Sequence, residues 1–267
     1  MRDGTTKSPV LWHVRPDVAG RQLFLFPFLG GFGASFNPLV RSLRDGWDIW
    51  TVNPPGHGPS REAPIDHLAD LVARYIEEFV RVLRPGAVFF GHSMGGIVAY
   101  HVISALVRSD RLAPALVPVD LVLSAVSAPG DVPAQSWSRS RDAELIERLI
   151  AIDAIPALIA AEPSLLELFL PAFRSDYGVL DDARGRPVEP LDVRTRLILG
   201  ELDPHTPSGT SDAWQRHLTS PLRTQVLAGE GHMFVRHALE PLDRILADVR
   251  DADAPVAVAV DGQRGRG

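Results

Sequence analysis

One stretch narrows the possible folds more than any other: an apolar run over 87–90, then Gly91-His92-Ser93-Met94-Gly95, then an apolar segment over 97–107. The first run reads as a buried strand, and the last is compatible with a helix. Between them, Gly-x-Ser-x-Gly sets a serine on a sharp strand-to-helix turn, where strained backbone pushes the hydroxyl out of the sheet. Gly91 and Gly95 suit that turn because a side chain at either place would collide with a neighbouring strand or helix. The helix that follows offers free N–H groups and the positive end of its dipole to an oxyanion formed at the serine. Ser93 is therefore a candidate nucleophile. Five residues also match this pattern by chance, so the plain alternative is a glycine-rich turn with a surface serine. An acid and a histidine further along decide between the two.

Around this stretch the chain alternates. Arg21 to Phe26 is an apolar segment ended by Pro27, a strand buried on both faces. It leads into Phe28-Leu29-Gly30-Gly31-Phe32-Gly33, whose glycines allow close approach of the backbone. A helix starts near Ser35 or Asn37, and Asp48 to Val52 is the next strand. Asp66 to Leu83 carries Leu68, Leu71, Val72, Tyr75, Ile76 and Phe79 at helical spacing and stops at Pro85-Gly86. Asp120 to Ala125 is a further strand. Strand–helix alternation with short connections predicts right-handed crossovers and a parallel sheet. From Gly130 to Ala183 the alternation breaks into helical patterning over 143–152, 155–159 and 165–169, expected to form a lid with an acyl pocket beneath it, or else ordinary helix–helix core. Strands resume at 195–199 and 223–227, with a helix at 211–218 between them and a last helical stretch over 235–249, kinked or restarted at Pro241. The expected organisation is a core in two parts, 1–129 and 184–250, a helical lid over 130–183, and a frayed tail over 251–267.

At 267 residues one large α/β domain is the natural size. A net charge of −6 argues against non-specific nucleic-acid binding, since no basic excess exists to neutralise phosphates. The absence of cysteine excludes disulfides and thiolate metal sites. No apolar run approaches the ~20 residues of a membrane span, and Met1 to Pro9 lacks the apolar core of a signal peptide. A cytoplasmic protein is expected. No His/Asp/Glu cluster has metal spacing, so neither a metal nor a cofactor is expected.

Two carboxylates, Glu201 and Asp203, follow the strand at 195–199. Asp203 precedes Pro204, which keeps it out of helix, in a loop over the carboxyl edge of the sheet that also carries Ser93. His232 lies in the corresponding loop after the final strand. The order Ser93, Asp203, His232 is that of the α/β-hydrolase triad. His232 would take the proton of Ser93, and Asp203 would hold the imidazole. Glu201 is the alternative acid; His205 and His237 are weaker alternatives for the base. The oxyanion donors expected are the N–H groups of Met94 and Leu29. His92 is expected to pack and hydrogen-bond behind the turn, and His57 is expected to be structural.

These residues resemble the stand-alone type II thioesterases that accompany polyketide synthases and non-ribosomal peptide synthetases. The likeness runs from about Trp12 to Leu246. It rests on Leu23-Phe24-Leu25-Phe26-Pro27-Phe28-Leu29-Gly30-Gly31, Pro55-Gly56-His57-Gly58, Gly91-His92-Ser93-Met94-Gly95-Gly96, Leu170-Pro171-Ala172-Phe173-Arg174-Ser175-Asp176-Tyr177 and Gly231-His232-Met233-Phe234. It implies removal of stalled acyl groups from the phosphopantetheine arm of a carrier protein, with Ser93, Asp203 and His232 as the triad. It also implies the oxyanion donors at Met94 and Leu29. No cofactor beyond the partner's own arm, no nucleic acid and no membrane are implied, and a monomer is expected. The family has Phe-Pro-His-Ala-Gly-Gly in the first loop, where this chain has Phe28 and Leu29 in place of His and Ala. That change predicts a narrower, more apolar entrance, with Phe28, Leu29, Met233 and Phe234 as pocket candidates. An acidic carrier would need an arginine patch, for which Arg139, Arg141 and Arg174 are candidates. A serine esterase or lipase on small esters would share the whole triad; a catalytically inactive binding module is the non-enzyme alternative.

Overall fold

Strand residues that alternate between two buried faces dictate a sheet covered on both sides, and a computed structural model of the chain has that form. It describes residues 9–252 apart from 110, 112, 132–135, 153, 156–161, 185, 187 and 188. Strands β1 (Leu11–Arg15), β2 (Arg21–Phe26), β3 (Trp47–Val52), β4 (Val88–His92), β5 (Asp120–Ser124), β6 (Arg194–Gly200) and β7 (Arg223–Leu227) form one sheet. Their order is β1-β3-β2-β4-β5-β6-β7. Every pairing is parallel except β1 with β3. The helices are α1 (Asn37–Ser42), α2 (Leu68–Val82), α3 (Met94–Val107), α4 (Asp142–Ala151), α5 (Pro163–Ala183), α6 (Thr210–Gln215) and α7 (Leu239–Asp251).

Along β2, Leu23 and Leu25 point to one face while Phe24 and Phe26 point to the other. The first pair joins a core with Phe36, Leu39, Trp47, Ile245 and Leu246 under α1 and α7. The second pair meets Phe79 and Phe89, with ring centroids 4.9–5.7 Å apart, under α2 and α3. The chain passes from β2 outward to β3 and then returns to the other side of β2 for β4. Strand order therefore reverses between β2 and β4, and a crevice opens at their carboxyl ends, where ligands bind in open α/β sheets.

Three details depart from the sequence-based expectations. β1 was not foreseen: Leu-Trp-His-Val-Arg is a short, half-exposed edge strand with an irregularity between His13 and Arg15, so its alternation is weak. Patterning over 165–169 belongs to a 21-residue helix, α5, that continues through Pro171. A proline inside a helix costs ~3 kcal/mol. Here Phe173, Asp176, Tyr177, Val179 and Ala183, all beyond it, are buried against the core. The expected break at Pro241 lies earlier, at His237–Ala238 between a short turn at Phe234–Arg236 and α7. Pro241 sits in the first turn of α7, where a missing N–H costs nothing. The helix expected over 155–159 lies outside the described residues beyond Ile155, as does the tail beyond Ala252. Among the described residues no helix is long and apolar enough to cross a membrane.

Candidate active site

The turn between β4 and α3 is strained. Ser93 has φ 53° and ψ −124°, a region that a non-glycine residue enters only when its surroundings hold it there. They do so through two bonds: the Ser93 N–H donates to the Ser124 carbonyl at 2.7 Å, and the Gly96 N–H donates to the Ser93 carbonyl at 2.9 Å. A Cβ on Gly91 would lie 2.3 Å from the Gly95 carbonyl oxygen, and one on Gly95 would lie 2.2 Å from that of Phe26. The turn after β2 and the serine turn thus touch through bare backbone. Gly95→Ala should cost about 3 kcal/mol or more, the upper end for overpacking a rigid site. Urea denaturation is the check, and a change under about 1 kcal/mol would show that the contact can yield.

β4, β6 and β7 run parallel, so their carboxyl-end loops meet at one edge. Ser93 Oγ donates to His232 Nε2 at 2.9 Å. The opposite ring nitrogen, Nδ1–H, donates to Asp203 Oδ2 at 2.9 Å. Asp203 has a fully buried side chain. It also accepts the His205 N–H at 2.8 Å and the Thr206 hydroxyl at 3.0 Å. Burial pushes its pKa up, but the bonds from His232, His205 and Thr206 outweigh that and hold it below the ordinary carboxylate value. Asp203 therefore stays ionised.

The alternatives lie elsewhere. Glu201 is exposed and accepts the Gly229 N–H at 2.7 Å. His237 pairs with Glu230 at 2.6 Å. The His205 ring stands edge-on to His232 at 4.9 Å without reaching the serine hydroxyl in any hydrogen bond described. His92 is buried, with Nδ1 2.9 Å from Ser124 Oγ. Burial and, next, the neighbouring His232 drive its pKa well below the ordinary histidine value, so it is neutral.

A second polar knot holds the loop after β2. Asp176, on α5, accepts the Gly30 N–H at 2.6 Å and the His57 Nε2–H at 3.0 Å. The other His57 ring nitrogen faces the Pro55 carbonyl at 3.0 Å. Both ring nitrogens meet only acceptors, which makes His57 an imidazolium. Burial lowers its pKa, yet the Asp176 charge and hydrogen bond prevail and leave it raised. Gly30 has φ +70°, and a Cβ there would run into the Phe173 ring. α5 is docked again where Asp182 caps the Leu68 N–H at 3.0 Å. Sequence reading identified neither Asp176 nor Thr206 as functional; the only signal for Asp176 was its place in the Arg174-Ser175-Asp176-Tyr177 motif. Asp176→Ala should cost about 3–5 kcal/mol by leaving His57 buried without its counter-charge. The gap in stability from the native protein should be full below the ordinary histidine value of 6.5 and shrink as pH rises through the raised His57 pKa. Thermal melts of both proteins across pH are the check. A gap that grows with pH would contradict the assignment.

A cavity of about 560 Å³ opens beside Ser93 and His232. Leu29, Met94, Ile97 and Val126 line its floor, and Trp137, Ile152 and Leu180 line the side under α4 and α5. Of the four sequence-based pocket candidates only Leu29 belongs to it. Phe28 is turned under the loop, edge-on to His92 at 5.8 Å and to Phe36 at 6.2 Å, with the Arg236 guanidinium 5.2 Å over its ring. Phe234 is wholly buried against His92 at 5.3 Å, and Met233 packs on the same core. Phe28 therefore does not narrow the entrance. Of the candidate arginine patch, Arg174 donates to the Ser138 and Ser140 carbonyls and the Asp142 carboxylate, Arg141 pairs with Glu144, and Arg139 is exposed. Among the described residues no group of three or more His, Cys, Asp or Glu is placed to hold a metal ion.

The parallel sheet and the three loops converging at its carboxyl edge are those of the α/β-hydrolases. The model of the thioesterase domain family matches residues 21–252, and the chain belongs to that family. It is 26% identical over 242 residues to a probable cadicidin biosynthesis thioesterase of Streptomyces griseus, covering 88% of this chain and 64% of that protein. It is 30% identical over 259 residues to the AMB antimetabolite synthetase AmbE of Pseudomonas aeruginosa, covering 95% of this chain and 12% of the other. The chain thus spans less than two thirds of the length of both relatives. It is also similar to the solved type II thioesterase BorB from the borrelidin biosynthetic cluster. There the TM-score is 0.78 and the identity 25%, over 91% of this chain and 98% of that one.

Proposed function

We propose that the chain hydrolyses acyl thioesters carried on the phosphopantetheine arm of carrier proteins in polyketide or non-ribosomal peptide assembly, releasing stalled groups. The observation that carries this reading is the unbroken relay Asp203–His232–Ser93 opening on a cavity roofed by α4 and α5. In the reaction, Ser93 Oγ attacks the thioester carbonyl as its proton passes to His232 Nε2. Ionised Asp203 stabilises the imidazolium that results. The tetrahedral oxyanion is held by the N–H groups of Met94, first residue of α3, and Leu29, both at the cavity wall. Collapse breaks the C–S bond, and His232 returns the proton to the leaving thiol. Water then enters, loses a proton to His232 and attacks the acyl-serine; collapse regenerates Ser93 and frees the acid.

The residues over 130–183 act as a lid on this reading, with the Asp176 knot fixing the Leu29–Gly30 loop beneath it. Mixed oxygen-ester hydrolysis is the competing chemistry, because the same triad serves both. Paired substrates test this: an acyl-pantetheine thioester and the oxygen ester of the same acyl group, each corrected for its uncatalysed rate. The thioesterase reading expects the thioester to be favoured at least about tenfold in kcat/KM, a difference of ~1.4 kcal/mol in transition-state binding. A preference for the oxygen ester would replace it with an esterase.

A further inference from the structure

The backbone donors of the loop that carries Leu29 can be followed one by one. The Gly31 N–H closes a turn on the Phe28 carbonyl at 2.7 Å, so Leu29 and Gly30 form its corner, with Gly30 at the φ of +70° that suits a type II turn. Just beyond, Ser35 Oγ takes the Phe32 N–H at 3.1 Å and Asn53 Oδ1 takes the Gly33 N–H at 2.9 Å. The Gly30 N–H goes to Asp176 Oδ2 at 2.6 Å. Over 29–33, only the Leu29 N–H has no acceptor among the described residues, and Leu29 lines the cavity beside Ser93. A backbone donor left open there is what an oxyanion site requires.

The corner is tied down from the lid. Among the described residues its only hydrogen bond outside the turn is the one to Asp176, and Asp176 belongs to α5. The same helix lays the Phe173 ring where a Gly30 Cβ would stand. A turn of this kind is free to flip its central peptide. Here the flip would aim the Leu29 carbonyl at the Asp176 carboxylate, two acceptors face to face, so Asp176 selects one orientation. A lone carboxylate beside an oxyanion donor would oppose the oxyanion itself. The same Asp176 oxygen, however, accepts the His57 Nε2–H at 3.0 Å, and both side chains are buried, so the ion pair is neutral as a unit.

We propose that Asp176 is a positioning residue for the oxyanion site. From α5 it holds the Leu29 corner so that the Leu29 N–H meets the developing oxyanion, and His57 supplies the counter-charge that lets a carboxylate stand beside that donor. Seating of α5 and readiness of the oxyanion site are then one event, which gives the lid a part in the chemistry beyond covering the pocket. The inference rests on the acyl-enzyme mechanism above and deepens it.

Asp176→Asn tests this. Asparagine keeps the shape, but without the charge His57 is neutral and keeps its proton on the Pro55 carbonyl. Its bare Nε2 is then met by the amide NH2, in the place where the Gly30 N–H now finds an oxygen. Single-turnover acylation by a hexanoyl-pantetheine thioester should slow by about tenfold or more, part of the roughly 10²–10³ carried by a whole oxyanion donor and in line with a misplacement near 1 Å. A rate constant read in one turnover is independent of the fraction folded. Two pantetheine analogues separate positioning from general loosening. In the trifluoromethyl ketone, Ser93 Oγ adds to the carbonyl as its proton passes to His232, which places an oxyanion in the site; its affinity should fall in step with the rate. The S-hexyl thioether has no carbonyl and should bind as it does to the native protein. Asp182→Ala is the control, because Asp182 also docks α5, on the Leu68 N–H at 3.0 Å, but does not line the cavity; rate and ketone affinity should stay within about threefold of native. Slowing of Asp176→Asn by less than tenfold, equal losses for ketone and thioether, or the same loss in Asp182→Ala would overturn the inference. A native preference for the oxygen ester would displace the thioesterase reading and leave this inference standing, since both esters pass through the same oxyanion. Acylation by neither ester would overturn both.

Discussion

Ser93→Ala should lower thioester hydrolysis by about 10⁶-fold, the loss seen when the nucleophile of a serine triad is removed. The magnitude follows from the geometry. Ser93 Oγ is the atom bonded to His232 Nε2, so without it neither a proton relay nor an acyl-enzyme exists. What survives is the oxyanion site and substrate binding, which together still exceed water by about 10³–10⁴. The fold should persist, because the strained turn is held by the Ser93 backbone and not by its hydroxyl. A far-ultraviolet spectrum matching the native protein, beside a rate at the detection limit, is the expected pair of results. A rate within tenfold of native would remove Ser93 from the chemistry.

Asp203→Asn should cost about 10⁴ in kcat with little change in fold. Asparagine can keep its one oxygen on the His205 N–H and turn its NH2 toward Thr206, whose hydroxyl then accepts instead of donating, so the turn stays bonded. Its amide cannot stabilise an imidazolium, and it favours the wrong tautomer of His232. Glu201→Gln is the matched control. Glu201 holds the Gly229 N–H on the surface and is expected to change kcat by less than about twofold, as exposed substitutions away from special features do. Reversal of these two results would make Glu201 the acid and would require the loops after β6 and β7 to rearrange. Steady-state kinetics of both variants on one thioester decides the matter.

What could be read from the residues in advance, and what could not, divides on sequence distance. Ser93, Asp203 and His232 were legible because each lies in a loop just after a strand, and parallel strands bring such loops to one edge whatever their separation along the chain. Asp176 was not, since its partners Gly30 and His57 are 146 and 119 residues away and nothing local marks the meeting. Phe28, Met233 and Phe234 illustrate another limit. Closeness in sequence to a site residue does not say which way a side chain turns, least of all in a tight turn such as the one that the Gly31 N–H closes on the Phe28 carbonyl, with Leu29 and Gly30 at its corner. Leu29 faces the cavity while Phe28 lies beneath it against His92. β1 stayed hidden because a bulged edge strand buries only part of one face, and the length of α5 because Pro171 breaks the local rule that its packing overrides.

The central claim, that Ser93 is the activated nucleophile, is tested most directly by treating the native protein with a fluorophosphonate and mapping the adduct by peptide mass. The account predicts a single phosphonyl group on the peptide bearing Ser93, stoichiometric loss of thioester hydrolysis, and no labelling of Ser93→Ala or of protein protected by substrate. Absence of an adduct at Ser93 in protein that still hydrolyses thioesters would contradict it.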